Sequence, residues 1–397
     1  MVRGAWSAER TRGMNTAVGL YVHIPFCLAK CRYCDFCSFP AATEATKDAY
    51  VAALCRQIAA WGEKFPKITA DTVYFGGGTP TTLSLSHWDA ILQALRGAFS
   101  ISPDAEITTE INPATADGTY LRHLCALGLN RLSIGVQSAR EDELRALGRL
   151  HDFPAAAETV HMAQEAGFTN ISADIMLGIP HQTRESLAAT LDALTSLPLT
   201  HLSAYLLKVE PGTPFGKMAE AGKLVLPDED VQCDLYLDTV ARLGAAGFAP
   251  YEISNFAKAG YESRHNLKYW IGAPYIGFGV AAHSDFGGRR FAAPTDIQRY
   301  LDGNYTAASR VIGENERKNE YLMLRMRLVS GIDKADYAHR FGEDFDAAYH
   351  TTLLPYIRAG LLHDTAETIR FTPEGMLLSN TVLAELTDFS AETDNRP

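Results

Sequence analysis

The chain has 397 residues, 47% hydrophobic and 21% charged, proportions of a globular protein with one large domain and a smaller companion. Its 36 Lys and Arg against 47 Asp and Glu give a net charge of −11, with no local basic patch to offset it. That balance argues against nucleic-acid partners, and no apolar run approaches the ~20 residues of a membrane span.

Residues 1–17 are polar and lack the apolar stretch of a secretory signal, although they carry Arg3, Arg10 and Arg12. They read as a flexible tail with Met14 as an alternative start, and the expected compartment is the cytoplasm. A strand-like run followed by an amphipathic stretch then recurs six times. The predicted strands are 19–26, 72–78, 106–113, 131–138, 170–180 and 201–210, short, rich in β-branched or aromatic residues and bounded by Gly or Pro. The predicted helices are 44–63, 84–98, 115–127, 154–166, 183–196 and 227–246. Alternating units of this kind imply parallel strands joined by crossovers, as an open doubly wound sheet or as a six-unit barrel. Thr79, Glu110, Gln137 and Asp174 sit at or near the C-terminal ends of strands, where a barrel gathers its functional groups; that favours the barrel.

After residue 250 the rhythm changes. YEISNFAK offers one more strand, and 265–288 is rich in Gly and aromatics. From 313 three helical stretches, a short hairpin near 361–375 and a last helix suggest a winged-helix-like module. The expected organisation is a core at 18–290, a linker at 291–312 and a mostly helical domain at 313–397.

The seven cysteines are Cys27, Cys31, Cys34, Cys37, Cys55, Cys125 and Cys233. An odd number, four of them tightly clustered, reads as metal ligation and not as a disulfide framework. Cys27, Cys31 and Cys34, in a loop directly after a strand, suit three irons of one iron–sulfur cubane and leave a fourth iron open. With Cys37 as a fourth ligand, structural zinc is the alternative.

CxxxCxxC after a first strand resembles the signature of the radical-SAM superfamily. The resemblance implies a partial (β/α)6 barrel holding a [4Fe-4S] cluster on Cys27, Cys31 and Cys34. It also implies S-adenosylmethionine chelated at the open iron, and an electron donor if a radical is formed. YVHIPFC, FGGGTPT, TTEINP, GVQS and SADIMLGIP resemble the branch containing oxygen-independent coproporphyrinogen III oxidase and its relative, the radical-SAM haem chaperone. By that resemblance Tyr21, Tyr33, Gly77, Gly78, Thr79, Glu110, Gln137, Arg149 and Asp174 contact S-adenosylmethionine. Gly77 and Gly78 would do so through bare backbone that lets the ligand approach.

Three features separate the two relatives. The oxidase pattern continues to a cysteine where this chain has Phe36, with Cys37 one residue too late. Only 26 residues precede Cys27. The run from His265 to Trp270 matches the HNxxYW motif of the haem-chaperone group. The expected function is therefore to bind haem and pass it to acceptor proteins such as respiratory enzymes. His265 would be a candidate iron ligand, and Tyr269 and Trp270 flat apolar surface for the macrocycle. His283 is a second candidate ligand. An oxidase, or a radical-SAM enzyme on another substrate, are the alternatives.

Overall fold

The strand Val18–Ile24 is buried along almost its whole length, with Val18, Leu20, Val22 and Ile24 at most 2% exposed. A near-continuous apolar run of this kind belongs to a parallel sheet covered on both faces. The computed structural model describes residues 17–66, 68–113 and 115–387, so the tail expectation and Met14 lie outside it except for Ala17. Two compact units divide the chain. One runs through Gly135 and adds Pro154–Ile171 and Ala273–Val311; the other holds Val136–Phe153, Ser172–Gly272 and everything from Ile312.

In the first unit, with Val136 and Gln137 of the last strand counted in the second, the strands lie in the order Ala308–Val311, Arg289–Ala292, His283–Phe286, Tyr275–Phe278, Val18–Ile24, Thr69–Gly77, Ser100–Ile111, Arg131–Gln137. The last five of these pair in parallel and the first four are joined by antiparallel pairings. Helices Glu44–Lys64 and Leu85–Ala98 are N-capped by Thr43 and Ser84, the latter in a capping box with His87. Helix Leu85–Ala98 buries Trp88, Ile91, Leu92 and Leu95, each contributing about 1.5–3 kcal/mol of hydrophobic stabilisation.

Two expectations change here. Tyr275–Phe278 extends the parallel sheet beyond the first strand, in register Gly19↔Tyr275 to Val22↔Phe278. The expected linker at 291–312 is instead the strand end of Arg289–Ala292, the helix Ile297–Leu301 and the strand Ala308–Val311. These edge elements are held by aromatic packing. Trp61 stacks on Phe291 at 5.6 Å and meets Phe286 and Phe278 edge-on. Gln57 accepts from Gly279 N–H at 2.9 Å and from the Tyr300 hydroxyl at 2.6 Å.

In the second unit residues 172–177 of the strand Asn170–Leu177 pair in parallel with His201–Leu206, and Asn255–Ala257 pairs antiparallel with the latter. That strand is the later part of the expected YEISNFAK strand, 251–258. A buried polar chain runs from Ser172 through His201 to the Tyr251 hydroxyl, which accepts from the backbone of Ser263, the N-cap of helix Arg264–Trp270. From Ile312 come helices Glu314–Arg325, Lys334–Phe341 and Phe345–Arg358, a three-stranded sheet, and helices Pro373–Leu377 and Ser379–Leu386. The fully buried Tyr337 centres this part, packed by Tyr321, Phe341, Phe345 and Tyr349. No helix among the described residues is long and apolar enough to cross a membrane.

Candidate functional site: the cysteine loop and its glycine-rich neighbour

The cysteine loop starts where the first strand ends. Phe26–Cys27 pairs in parallel with Phe39–Pro40, and the backbone bonds Phe39 N–H to Pro25 O and Ala41 N–H to Cys27 O close the loop at its base. Cys27, Cys31, Cys34 and Cys37 are half-buried thiols outside any disulfide. Burial pushes the Cys27, Cys34 and Cys37 thiols up; at Cys27 the hydrogen bond from Thr79 opposes it. Thiols so placed lose their protons to a metal and not to bulk water.

Cys37 is engaged away from the other three: its Sγ lies 3.7 Å from the carbonyl of Thr295, and its own carbonyl meets His23 Nε2 at 2.8 Å. A carbonyl only accepts, so Nε2 carries the proton and Nδ1 accepts from the Tyr21 hydroxyl at 3.0 Å. Burial holds the His23 pKa below its ordinary value, in keeping with this neutral tautomer.

Beside the loop lies the strand end Gly76–Gly78. A Cβ on Gly76 would meet Glu110 Oε1 at 2.8 Å; on Gly77, whose φ is +108°, it would meet the His23 ring; on Gly78, the Phe26 carbonyl at 2.7 Å. The backbone angle at Gly77 and the Ile24 and Phe26 carbonyls around Gly78 favour glycine at those two positions, while at Gly76 a side chain would have to displace the Glu110 carboxylate. Glu110 accepts from Gly77 N–H at 3.1 Å and from the Tyr74 hydroxyl at 3.0 Å. The Thr79 backbone N–H donates to Phe26 O at 2.7 Å. The Thr79 hydroxyl accepts from the Asn112 amide at 2.7 Å and donates to Cys27 Sγ at 3.7 Å. Three separate sequence motifs, at Cys27, Thr79 and Glu110–Asn112, thus meet in one hydrogen-bonded group with Tyr21 and His23 beside it. His23, Tyr74 and Asn112 were not singled out from sequence; His23 and Asn112 lie inside the quoted motifs, and a histidine within an apolar strand was the available signal.

The other expected site residues are placed as follows. Tyr33 is a half-buried residue in the turn of the cysteine loop. Gln137 ends its strand at φ +71°, in the left-handed region. Arg149 follows the helix Glu141–Leu147 and its Gly148 cap; with burial, its charge helps hold His151 down at about 4. Asp174 is half-buried, in register with Ser203. Gln137, Arg149 and Asp174 belong to the second unit and the preceding group to the first. His265 is 1% exposed, and its Nε2 lies 2.9 Å from the Tyr269 hydroxyl. Those two rings meet edge to face within helix Arg264–Trp270, where His265 is buried and Tyr269 half-buried. His283 is exposed and begins the strand His283–Phe286, which pairs on both sides within the first unit.

The family profile of the Radical SAM superfamily matches residues 21–194, and that of the HemN C-terminal domain matches 313–378. "Heme chaperone HemW" of Bacillus subtilis (strain 168) is 34% identical, over 91% of this chain and 97% of the relative. This chain belongs to the HemW family of radical-SAM proteins. HemW of Escherichia coli (strain K12) is 33% identical over 92% of this chain and 97% of the relative. Coproporphyrinogen III oxidase (HemN) from Escherichia coli superposes with a TM-score of 0.83 at 25% identity, covering 94% of this chain and 90% of that one. The fold is therefore the expected α/β radical-SAM fold with a mostly helical C-terminal region.

Proposed function

We propose that this chain is a haem chaperone: it binds haem and delivers it to acceptor proteins, respiratory enzymes among them, in the cytoplasm. The observation that carries the reading is end-to-end similarity to relatives named haem chaperones, at about a third identity. The oxidase shares the fold at lower identity, and HNxxYW argues against that assignment.

Cys27, Cys31 and Cys34 hold the [4Fe-4S] cluster on this reading. Cys37 is turned away from the other three, its sulfur toward the Thr295 carbonyl and its own carbonyl toward His23, which leaves three thiolates for three irons. On this reading Tyr21, Tyr33, Gly77, Gly78, Thr79 and Glu110 of the first unit are the contacts for S-adenosylmethionine next to the loop. When bound, the pair supplies one-electron cleavage chemistry. The chain's own contribution is to fix the loop through His23 and Thr79 and to offer Glu110 as an acceptor for ribose hydroxyls or the ammonium.

Anaerobic reconstitution, followed by haem titration and a 5′-deoxyadenosine assay on the same sample, tests the reading. About four irons and four sulfides per chain and one saturable haem are expected. Coproporphyrinogen III decarboxylation without haem binding would replace the chaperone by the oxidase.

A further inference from the structure

Behind helix Arg264–Trp270 the second unit carries a cleft of about 160 Å³. Trp270 forms one side, and Arg317, Tyr321, Leu324, Arg340 and Phe341 of the helices Glu314–Arg325 and Lys334–Phe341 form much of the rest. We infer that the cleft receives haem, with its macrocycle against Trp270 and the aromatic wall and its propionates on Arg340 and Arg317; this rests on the haem-chaperone reading.

Within the HNxxYW segment His265 and Tyr269 face each other, whereas Trp270 reaches the cleft. The motif therefore meets open space through its tryptophan. Trp, Tyr, Phe and Leu walls select a flat apolar body. Arg317 and Arg340 line the cleft with one carboxylate, that of Glu320, and two guanidiniums against one carboxylate favour an anionic edge. Arg340 lies over the Tyr321 ring at 5.5 Å and gives only its Nε to Asp336, at 2.8 Å. Its terminal nitrogens have no described hydrogen-bond partner and form a fork matched to a carboxylate. Arg317 is 3.5 Å from Glu320, an ion pair that can exchange for a propionate. The cleft encloses one edge of a macrocycle and leaves the remainder accessible, as a cargo awaiting transfer requires.

Ferric haem and haem dimethyl ester are titrated into the full-length wild type, Trp270→Ala and the double variant Arg317→Gln/Arg340→Gln. Haem is expected to bind the double variant at least tenfold more weakly. The ester should bind wild type with a similar loss and show little further loss on the double variant, with iron content and thermal midpoint unchanged. Trp270→Ala is expected to weaken both ligands alike. If the ester binds wild type as tightly as haem does, the propionate assignment is overturned without reliance on any variant. Haem binding to the double variant at wild-type strength overturns the cleft and leaves the chaperone reading standing. No saturable haem binding by wild type removes both.

Discussion

Thr79 uses one hydroxyl in two directions, accepting from Asn112 and donating to the sulfur of Cys27. Thr79→Val keeps the shape and leaves the Asn112 amide without that acceptor, a loss of about 1–3 kcal/mol. Asn112→Leu should cost a similar amount in urea unfolding, and the pair less than the sum of the singles, because both remove one interaction. Gly78→Val is expected to disturb the cysteine loop itself. Its side chain would meet the carbonyls of Ile24 and Phe26, so iron content should fall together with S-adenosylmethionine affinity. The glycine run was legible as a place where backbone comes close. What it comes close to was not, because the histidine beneath Gly77 and the carboxylate beside Gly76 are set by strand register, and residue spacing does not report register.

At the scale of elements the cysteine loop is a unit closed at its base and clamped by His23. Cys27→Ala, Cys31→Ala and Cys34→Ala are each expected to abolish the cluster. Cys37→Ala should retain it, since its sulfur is turned to the Thr295 carbonyl and its backbone contact to His23 survives the change. Equal iron loss in Cys37→Ala would contradict the three-ligand arrangement. A second element-level prediction concerns the junction between the Tyr251–Asn255 segment and the C-terminal helices. There the Ile253 and Val329 backbones bond to Arg327 and Tyr251. Glu252, 1% exposed, accepts from the Ser254 backbone, and burial, opposed by Asn255 and the Arg327 charge, raises its pKa to about 7. The folded state then holds its proton more tightly than the unfolded chain does. Stability from this group is therefore greatest at acid pH and declines between about pH 4.5 and 7, by on the order of 3 kcal/mol. Glu252→Gln should remove that decline and raise the unfolding midpoint at pH 8. The six strand–helix units were readable because each is long and periodic. The strand Tyr275–Phe278 and its antiparallel neighbours were not, since four-residue strands within Gly-rich sequence carry no period and are placed by Trp61 and Gln57 from a helix more than two hundred residues away.

For the whole molecule, family membership follows from motifs dispersed along the chain that only the fold gathers: YVHIPFC, GGGTP and EINP meet around Cys27 and Thr79. HNxxYW was legible as a mark of the haem-chaperone group, but its geometry was not: the imidazole is buried against its own tyrosine and the tryptophan reaches the cleft. The central claim is haem delivery. The most direct measurement loads the reconstituted protein with one haem, removes the excess, and adds the apo form of a respiratory haem enzyme. Soret absorbance and restored acceptor activity are then followed. Haem is predicted to leave the chain and activate the acceptor faster than release into buffer allows. Haem that never binds, or that reaches the acceptor no faster than spontaneous release, would contradict the account.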